Sequence, residues 1–149
     1  MIRPSVRGTL PEAIDVITNR TARRLHDAGL PWTPSEGDRF VLPGRGMDAD
    51  VFTIAAMVVE VRDAPAGRLI AFNGTTEWAL DAVEQAEAIW LPREEQLREA
   101  LGSAMLSLVR AEDGWRCTVR VDRRLVEVAA AEADEAYAEA LLQVLQADG

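Results

Sequence analysis

Few residues of this chain have side chains that commonly carry chemistry. The sequence has one histidine, His26, and one cysteine, Cys117. His26 lies near the predicted end of a helix, where an imidazole favours the helix dipole. Cys117 alternates with polar residues on a predicted strand, which predicts a buried thiol of low reactivity. A single cysteine also excludes a disulfide within the chain and a cysteine-based zinc site. Neither residue predicts a catalytic centre.

Two aspartates in a glycine-containing loop are the candidate metal ligands. Asp48 and Asp50 follow Gly44 and Gly46. Carboxylates at alternate positions can bind a divalent cation, but the full spacing of a calcium loop is absent. Turn formation is the alternative interpretation of Asp48 and Asp50. If the pair holds a metal, the chain is a small metal-dependent or ligand-binding enzyme. No other cofactor is expected.

Two tryptophans bracket an acidic segment and are the candidate interaction residues. Trp78 and Trp90 lie within residues 77–99, which contain seven acidic residues and two arginines. Core packing is one interpretation of both side chains. An exposed tryptophan rimmed by carboxylates is instead typical of a protein-interaction surface.

The charge balance excludes several classes of function. The 149 residues include 25 acidic and 16 basic side chains, all of the latter arginine, for a net charge of -9. Without lysine there is no Schiff-base chemistry and no Walker A loop. The acidic excess argues against binding to nucleic acid or to an anionic membrane. The negative charge is concentrated in 77–99 and 131–149, whereas 100–130 has five arginines and four acids.

No apolar run is long enough to span a bilayer, and the N-terminus lacks the pattern of a signal peptide, so a cytoplasmic location is expected.

Periodicity and turn residues predict the elements of the first half. In chain order these are a helix over 19–28, a strand over 39–42, hairpin strands over 51–62 and 68–72 that end at Asn73-Gly74, a helix over 77–87 and a turn at 88–91. The start of the first helix stays open. Thr9 and Glu12 have capping-box spacing, whereas a start at Thr18 or Asn19 leaves residues 1–17 as a flexible or extended arm.

The second half predicts an α-β-β-β-α unit. Its elements are a helix over 92–102, strands over 105–110, 115–121 and 125–128, and a C-terminal helix whose acidic residues complement the helix dipole. The apolar inner face of that helix is Ala133, Ala136, Tyr137, Ala140, Leu141, Val144 and Leu145. Arg116 and Arg120, on the uncovered face of the sheet, are expected to pair with Glu127 or Glu112 across the strands. The sheet is expected to be antiparallel with helices on one face. The chain is therefore predicted to be one α+β domain over residues 1–149. Double-stranded-RNA-binding domains share this element order, but their terminal helix is basic and this one is acidic.

Four segments carry a resemblance to known sequences. They are Arg24-Leu25-His26-Asp27-Ala28-Gly29-Leu30, Asp38-Arg39-Phe40-Val41-Leu42-Pro43, Phe72-Asn73-Gly74-Thr75-Thr76-Glu77-Trp78-Ala79-Leu80-Asp81 and Trp90-Leu91-Pro92-Arg93-Glu94-Glu95-Gln96-Leu97. The chain resembles an uncharacterised family of small proteins from high-GC bacteria. Some members carry a pilus-assembly label, which implies a nucleotide-binding ATPase, and this chain has no Walker lysine. It is also similar to small hypothetical proteins of phages and mobile elements. The resemblance implies no catalytic residue.

These observations favour a non-enzymatic, cytoplasmic module that binds a protein partner or associates with itself. Two alternatives stay open. One is the enzyme built on Asp48 and Asp50. The other is an acidic accessory or inhibitor protein of phage or mobile-element type, whose carboxylates imitate nucleic acid.

Overall fold

The protein is mixed α+β, as the sequence predicts. The structure, a computed structural model, describes residues 2–4, 17–44, 51–54, 59–64, 67–72, 82–84 and 87–149. The strands are β1 (Ile2–Pro4), β2 (Arg39–Val41), β3 (Phe52–Ile54), β4 (Val59–Ala64), β5 (Gly67–Phe72), β6 (Ala82–Glu84), β7 (Ile89–Leu91), β8 (Met105–Ala111), β9 (Gly114–Val121) and β10 (Arg124–Ala130). The helices are α1 (Asn19–Asp27), α2 (Glu94–Leu101) and α3 (Ala133–Asp148).

The chain divides into two compact units. The first unit comprises Met1–Ala13 and Trp32–Leu91, and the second comprises Ile14–Pro31 and Pro92–Gly149. That all 149 residues form one domain stays a prediction.

The first unit contains two antiparallel sheets. One has the strand order β1-β3-β2-β7 and the other β4-β5-β6. Its described core is an apolar cluster with a strong aromatic share, formed by Trp32, Phe40, Leu42, Phe52, Ile54 and Ala88. Phe40 is fully buried in β2, and its ring centroid is 5.6 Å from that of Phe52 in β3. The neighbouring strands thus bury their side chains against one another.

Several first-unit predictions are confirmed. The short strand over 39–42 is β2, and β4 and β5 form the predicted antiparallel hairpin. Of the predicted strand over 51–62, residues 52–54 form β3, which pairs with β1 and β2, and residues 59–62 belong to β4, which pairs with β5. Residues 55–58 lie outside the described part of the chain. Asn73 and Gly74, expected to end the hairpin, lie outside the described residues.

Two other first-unit predictions are wrong. Residues 82–84 belong to no helix: they form β6, which pairs with β5. Residues 77–81 of that helix lie outside the described part of the chain. The segment 88–91 is not a turn, because Ile89–Leu91 forms β7 and pairs with β2. In both places backbone pairing with another strand overrides the local pattern.

The second unit confirms the predicted α-β-β-β-α order, here α2-β8-β9-β10-α3. Its sheet is an antiparallel meander in the order β10-β9-β8, joined by two-residue turns at 112–113 and 122–123. Helix α3 packs on β9 and β10, and α1 and α2 pack on α3. The meander therefore has one face covered by α3.

Helices α1 and α2 of the second unit begin at well-defined caps. Thr18 is the N-cap of α1, and its Oγ1 accepts a hydrogen bond from the Thr21 backbone N–H at 3.2 Å. At α2 the Gln96 side-chain oxygen accepts from the Arg93 backbone N–H at 2.9 Å. These caps satisfy N–H groups that a helix terminus leaves without partners. They confirm the helix over 19–28, whereas Thr9 and Glu12 lie outside the described residues.

Helix α3 is buried over a wider arc than the sequence predicts. Its expected inner-face residues Ala136, Tyr137, Ala140 and Leu141 are buried. Ala138 and Leu142 are also buried, whereas Val144 and Leu145 are only partly covered. The wider arc follows from the position of α3, which contacts the sheet, α1 and α2.

Candidate interaction surface

The meander presents a second face to solvent. Along β9, Cys117, Val119 and Val121 are buried, while Arg116 and Arg120 are exposed. Directly paired residues of neighbouring strands lie on the same side of a sheet, so the pairing register extends this division to β8 and β10. We call the exposed side the open face; its residues are Ser107, Val109, Arg116, Thr118, Arg120, Leu125, Glu127 and Ala129.

Large apolar side chains stand on the open face. Val109 in β8 is 55% exposed and Leu125 in β10 is 65% exposed. Leu106, at the irregular start of β8, is 45% exposed. Fully burying a side chain of this size contributes about 1.5–3 kcal/mol. Sequence reasoning did not single out Val109 or Leu125. The available signal was the tight turn after Val121, which places Leu125 opposite Arg120.

Arginines occupy the middle of the open face. The Arg116 Nη1 atom lies 3.3 Å from Glu127 Oε1, which confirms one of the two cross-strand partners expected for this arginine. Both side chains are about half exposed, so the pair contributes at most about 1 kcal/mol. Within the described part of the chain, Arg120 forms no ion pair. The open face therefore carries excess positive charge on a protein whose net charge is -9.

Trp90 lies in an aromatic cluster of the first unit. Its ring stacks on that of Trp32, with centroids 5.9 Å apart and planes 8° from parallel. The Trp90 Nε1 atom is buried and finds no acceptor among the described residues. Trp78, the other candidate interaction residue, lies outside the described residues. A binding role for either tryptophan stays a prediction.

The Asp38 carboxylate accepts hydrogen bonds within the loop that joins Trp32 to β2. The sequence pattern did not indicate a role for this residue. This carboxylate is 1% exposed. Its Oδ2 atom accepts hydrogen bonds from Trp32 Nε1 at 2.9 Å, from the Ser35 backbone N–H at 3.1 Å and from Ser35 Oγ at 3.3 Å. Buried carboxylates need such donors because desolvation of the charge is costly. The three bonds hold Trp32 and the loop together.

The candidate metal site is not among the described residues. Asp48 and Asp50 both lie in the undescribed segment 45–50, so metal binding there stays a prediction. In the segments that the structure describes, no group of three or more histidine, cysteine or acidic residues is placed to hold a metal ion. Those segments also contain no helix with the length and hydropathy needed to cross a bilayer.

The acidic residues of α3 bind α1. The Glu135 carboxylate accepts from the Thr18 backbone N–H and from Thr21 Oγ1, each at 2.7 Å. One turn further along α3, Glu139 forms an ion pair with Arg24. These carboxylates join two helices within the second unit. The sequence pattern did not predict these contacts between helices. It indicated only that the acidic residues of α3 favour the helix dipole.

A polar cleft of about 390 Å³ lies where the β8–β9 turn meets the start of α3. Glu94, Glu112, Asp113, Glu132 and Asp134 line it, together with Arg110 and Trp115. Burial raises the pKa of Asp134, whose Oδ1 accepts from the Glu135 backbone N–H at 2.8 Å. The Arg110 guanidinium lies 5.4 Å from the centre of the Trp115 ring. The cleft combines several carboxylates with one cation–π pair.

Cys117 is fully buried on the covered face of the sheet, as the alternation predicts. Burial raises the pKa of the thiol, which disfavours the reactive thiolate. The buried position therefore gives Cys117 a packing role.

Fold and surface together define a mixed α+β protein with a helix-backed meander. Comparisons with protein-family models, with curated proteins and with solved structures found no match. Function is therefore argued from the surface alone.

Proposed function

We propose that the protein is a non-enzymatic interaction module whose open face binds a partner protein. The observation that carries this proposal is the exposure of Val109 and Leu125 on either side of Arg116 and Arg120. Burial of large apolar side chains stabilises an interface, and arginine is enriched both in interfaces and among the residues that contribute most to binding. We expect the module to work in the bacterial cytoplasm, where a single unpaired cysteine is ordinary.

The open face also indicates the chemistry of the partner. A surface that covers Val109 and Leu125 must supply apolar groups at the edge strands. Between them it must supply carboxylates or other acceptors for the guanidinium groups, because a buried arginine without acceptors is strongly unfavourable. We therefore expect a partner surface with acidic residues flanked by apolar ones.

The proposal can be tested by affinity capture with matched variants. The wild-type protein, Val109→Ser/Leu125→Ser and Val109→Ile/Leu125→Met are immobilised and exposed to extract of the cells that produce the protein. Bound proteins are quantified by mass spectrometry. We expect a protein that binds the wild type and the Ile/Met variant, and whose capture falls about tenfold or more on the Ser variant.

Circular dichroism and urea unfolding first establish that all three proteins are folded. The captured protein is then purified and titrated against Arg120→Glu, which we expect to weaken binding because it reverses a charge on the open face. Identical capture by the three folded proteins would contradict a role for the open face.

A further inference from the structure

Strand β10 is a regular, exposed edge of the meander. Within the described chain, β10 pairs only with β9, so its other side carries backbone groups that no strand covers. The opposite edge strand, β8, is irregular between Met105 and Ser107, and such bulges discourage edge-to-edge pairing. β10 pairs regularly over all seven residues and contains no proline. The two edges therefore differ in their capacity to accept another strand.

The direction of the free backbone groups follows from the turn. Val121 and Arg124 close a two-residue turn and form the first pair of the β9–β10 ladder. In such a hairpin the closing pair exchanges both hydrogen bonds, and the pattern alternates along the strand. The N–H and C=O groups of Leu125, Glu127 and Ala129 consequently point to the free edge.

The residues of β10 match those of an antiparallel second copy. With Val128 opposite Val128 of the second copy, Val126 lies opposite Ala130 and Glu127 opposite Ala129. This register also places Arg124 opposite Glu132, once on each side of the two-fold axis. Glu132 lies two residues beyond the end of β10, and its backbone is extended, with φ −115° and ψ 152°. Arg124 and Glu132 are both exposed.

The neighbouring registers are less favourable. Centring on Glu127 brings two like charges directly opposite each other, which is destabilising. Centring on Val126 loses the pairing of Arg124 with Glu132 and places Glu127 opposite Leu125. Charge complementarity therefore selects the Val128-centred register.

We propose that the protein forms a two-fold dimer in which β10 pairs with β10 of a second copy, so that the two meanders join into one six-stranded sheet. This surface is the edge of the meander and is separate from the open face. In the dimer the two open faces form one continuous surface.

Sedimentation equilibrium of the full chain at physiological salt tests the proposal, because screening there limits the repulsion between two acidic copies. We expect a dimer for the wild type. Arg124→Glu and Glu132→Arg should each raise the dimer dissociation constant about tenfold or more, since each change places like charges opposite one another twice. The double variant Arg124→Glu/Glu132→Arg should restore dimerisation, because the pair is then reversed.

Arg123→Glu is the matched control, since it makes the same change in charge on the adjacent exposed turn residue and should leave the dissociation constant unchanged. Ala129→Pro supplies a second line of evidence. Its N–H points to the free edge, so proline there should abolish the dimer while preserving the β9–β10 ladder. If circular dichroism shows that Ala129→Pro is unfolded, the charge reversal decides.

A wild-type protein that stays monomeric at millimolar concentration would overturn the β10 dimer. So would a dimer that neither the charge variants nor a folded Ala129→Pro variant weakens. A monomer whose partner capture is lost in Ala129→Pro would show that β10 accepts a strand of another protein, which also overturns self-pairing. All edge variants retain Val109 and Leu125, so failure of the dimer and failure of the open-face proposal are separate results.

Discussion

Gly114 is the position where we expect a single methyl group to be most harmful. It begins β9 with φ +143°, a backbone conformation that side chains other than hydrogen rarely adopt. A Cβ atom built there would lie 2.3 Å from the Ala130 carbonyl oxygen and 2.9 Å from the Ala131 Cα. Both contacts are with backbone, so no side-chain rotation relieves them. The ends of β9 and β10 must move apart to accommodate alanine.

Gly102 supplies a control, because alanine there incurs backbone strain at a positive φ but no clash with neighbouring atoms. Its φ is +53°, and a Cβ atom there would have no atom within 4 Å. We expect Gly102→Ala to lower the free energy of unfolding by about 1–2 kcal/mol through backbone strain alone. Gly114→Ala should lower it by about 3–5 kcal/mol, because the displaced backbone adds to the strain.

Urea unfolding followed by far-ultraviolet circular dichroism measures both free energies. With a typical urea dependence of about 2 kcal/mol per molar, the midpoint of Gly114→Ala should fall by roughly 1.5–2.5 M and that of Gly102→Ala by less than about 1 M. Equal shifts for the two variants would refute the argument that close approach of β10 requires glycine at position 114.

Two buried carboxylates lead to opposite expectations. Asp38→Ala should lower the free energy of unfolding by about 2–4 kcal/mol, because Trp32 Nε1 loses its buried acceptor. Urea unfolding measures this change. Asp27→Ala, at an exposed aspartate, is the control and should stay within about 0.5 kcal/mol of the wild type. Asp134→Asn should raise stability at neutral pH, since burial raises the pKa of Asp134 above the ordinary 3.8. Protonation of Asp134 favours the folded state, because its pKa is higher in the folded than in the unfolded protein. The wild type should therefore be as stable as Asp134→Asn below pH 3.8, and the full difference in stability should be present above the folded pKa. A stability difference that persists unchanged under acid would contradict that cause.

The second half of the chain could be predicted from sequence because its signals are long and local. Strand β9 has eight residues, enough for the alternation of Cys117 and Val119 with Arg116 and Arg120 to indicate both the strand and its faces. Tight turns at 112–113 and 122–123 then determine the order of the three strands. The same reasoning predicted that Arg116 pairs across the strands with Glu127 or Glu112, and the pair formed is the one with Glu127.

The predictions for the first half of the chain failed where the strands are short and, for β7, where the partner strand is distant in sequence. Strands β6 and β7 have three residues each, too few to distinguish alternation from helical spacing. β7 exists because it pairs with β2, which lies about fifty residues earlier in the chain. Contacts of this range have no local signature. The same holds for the bonds between Glu135 and Thr18, which are 117 residues apart.

Only part of the candidate interaction surface could be predicted from the sequence, for a related reason. The alternation of β9 predicted arginines on the open face, but exposed apolar residues on β8 and β10 have no distinguishing pattern. Without the register, Val109 and Leu125 would be assigned to the core, because they are apolar residues on predicted strands. Pairing opposite Arg116 and Arg120 is what assigns them to the solvent side.

That register is constrained at both ends of the β9–β10 hairpin. The two-residue turn constrains one end, with Asp122 at φ 56°, and the close approach of Gly114 to Ala130 constrains the other. A slip of one residue would turn Val126 and Val128 outward and carry Leu125 and Glu127 beneath α3. Burying the Glu127 carboxylate there would cost more than covering Leu125 could return. The exposure of Leu125 is thus imposed by the hairpin that carries it, and only a partner can remove this side chain from water.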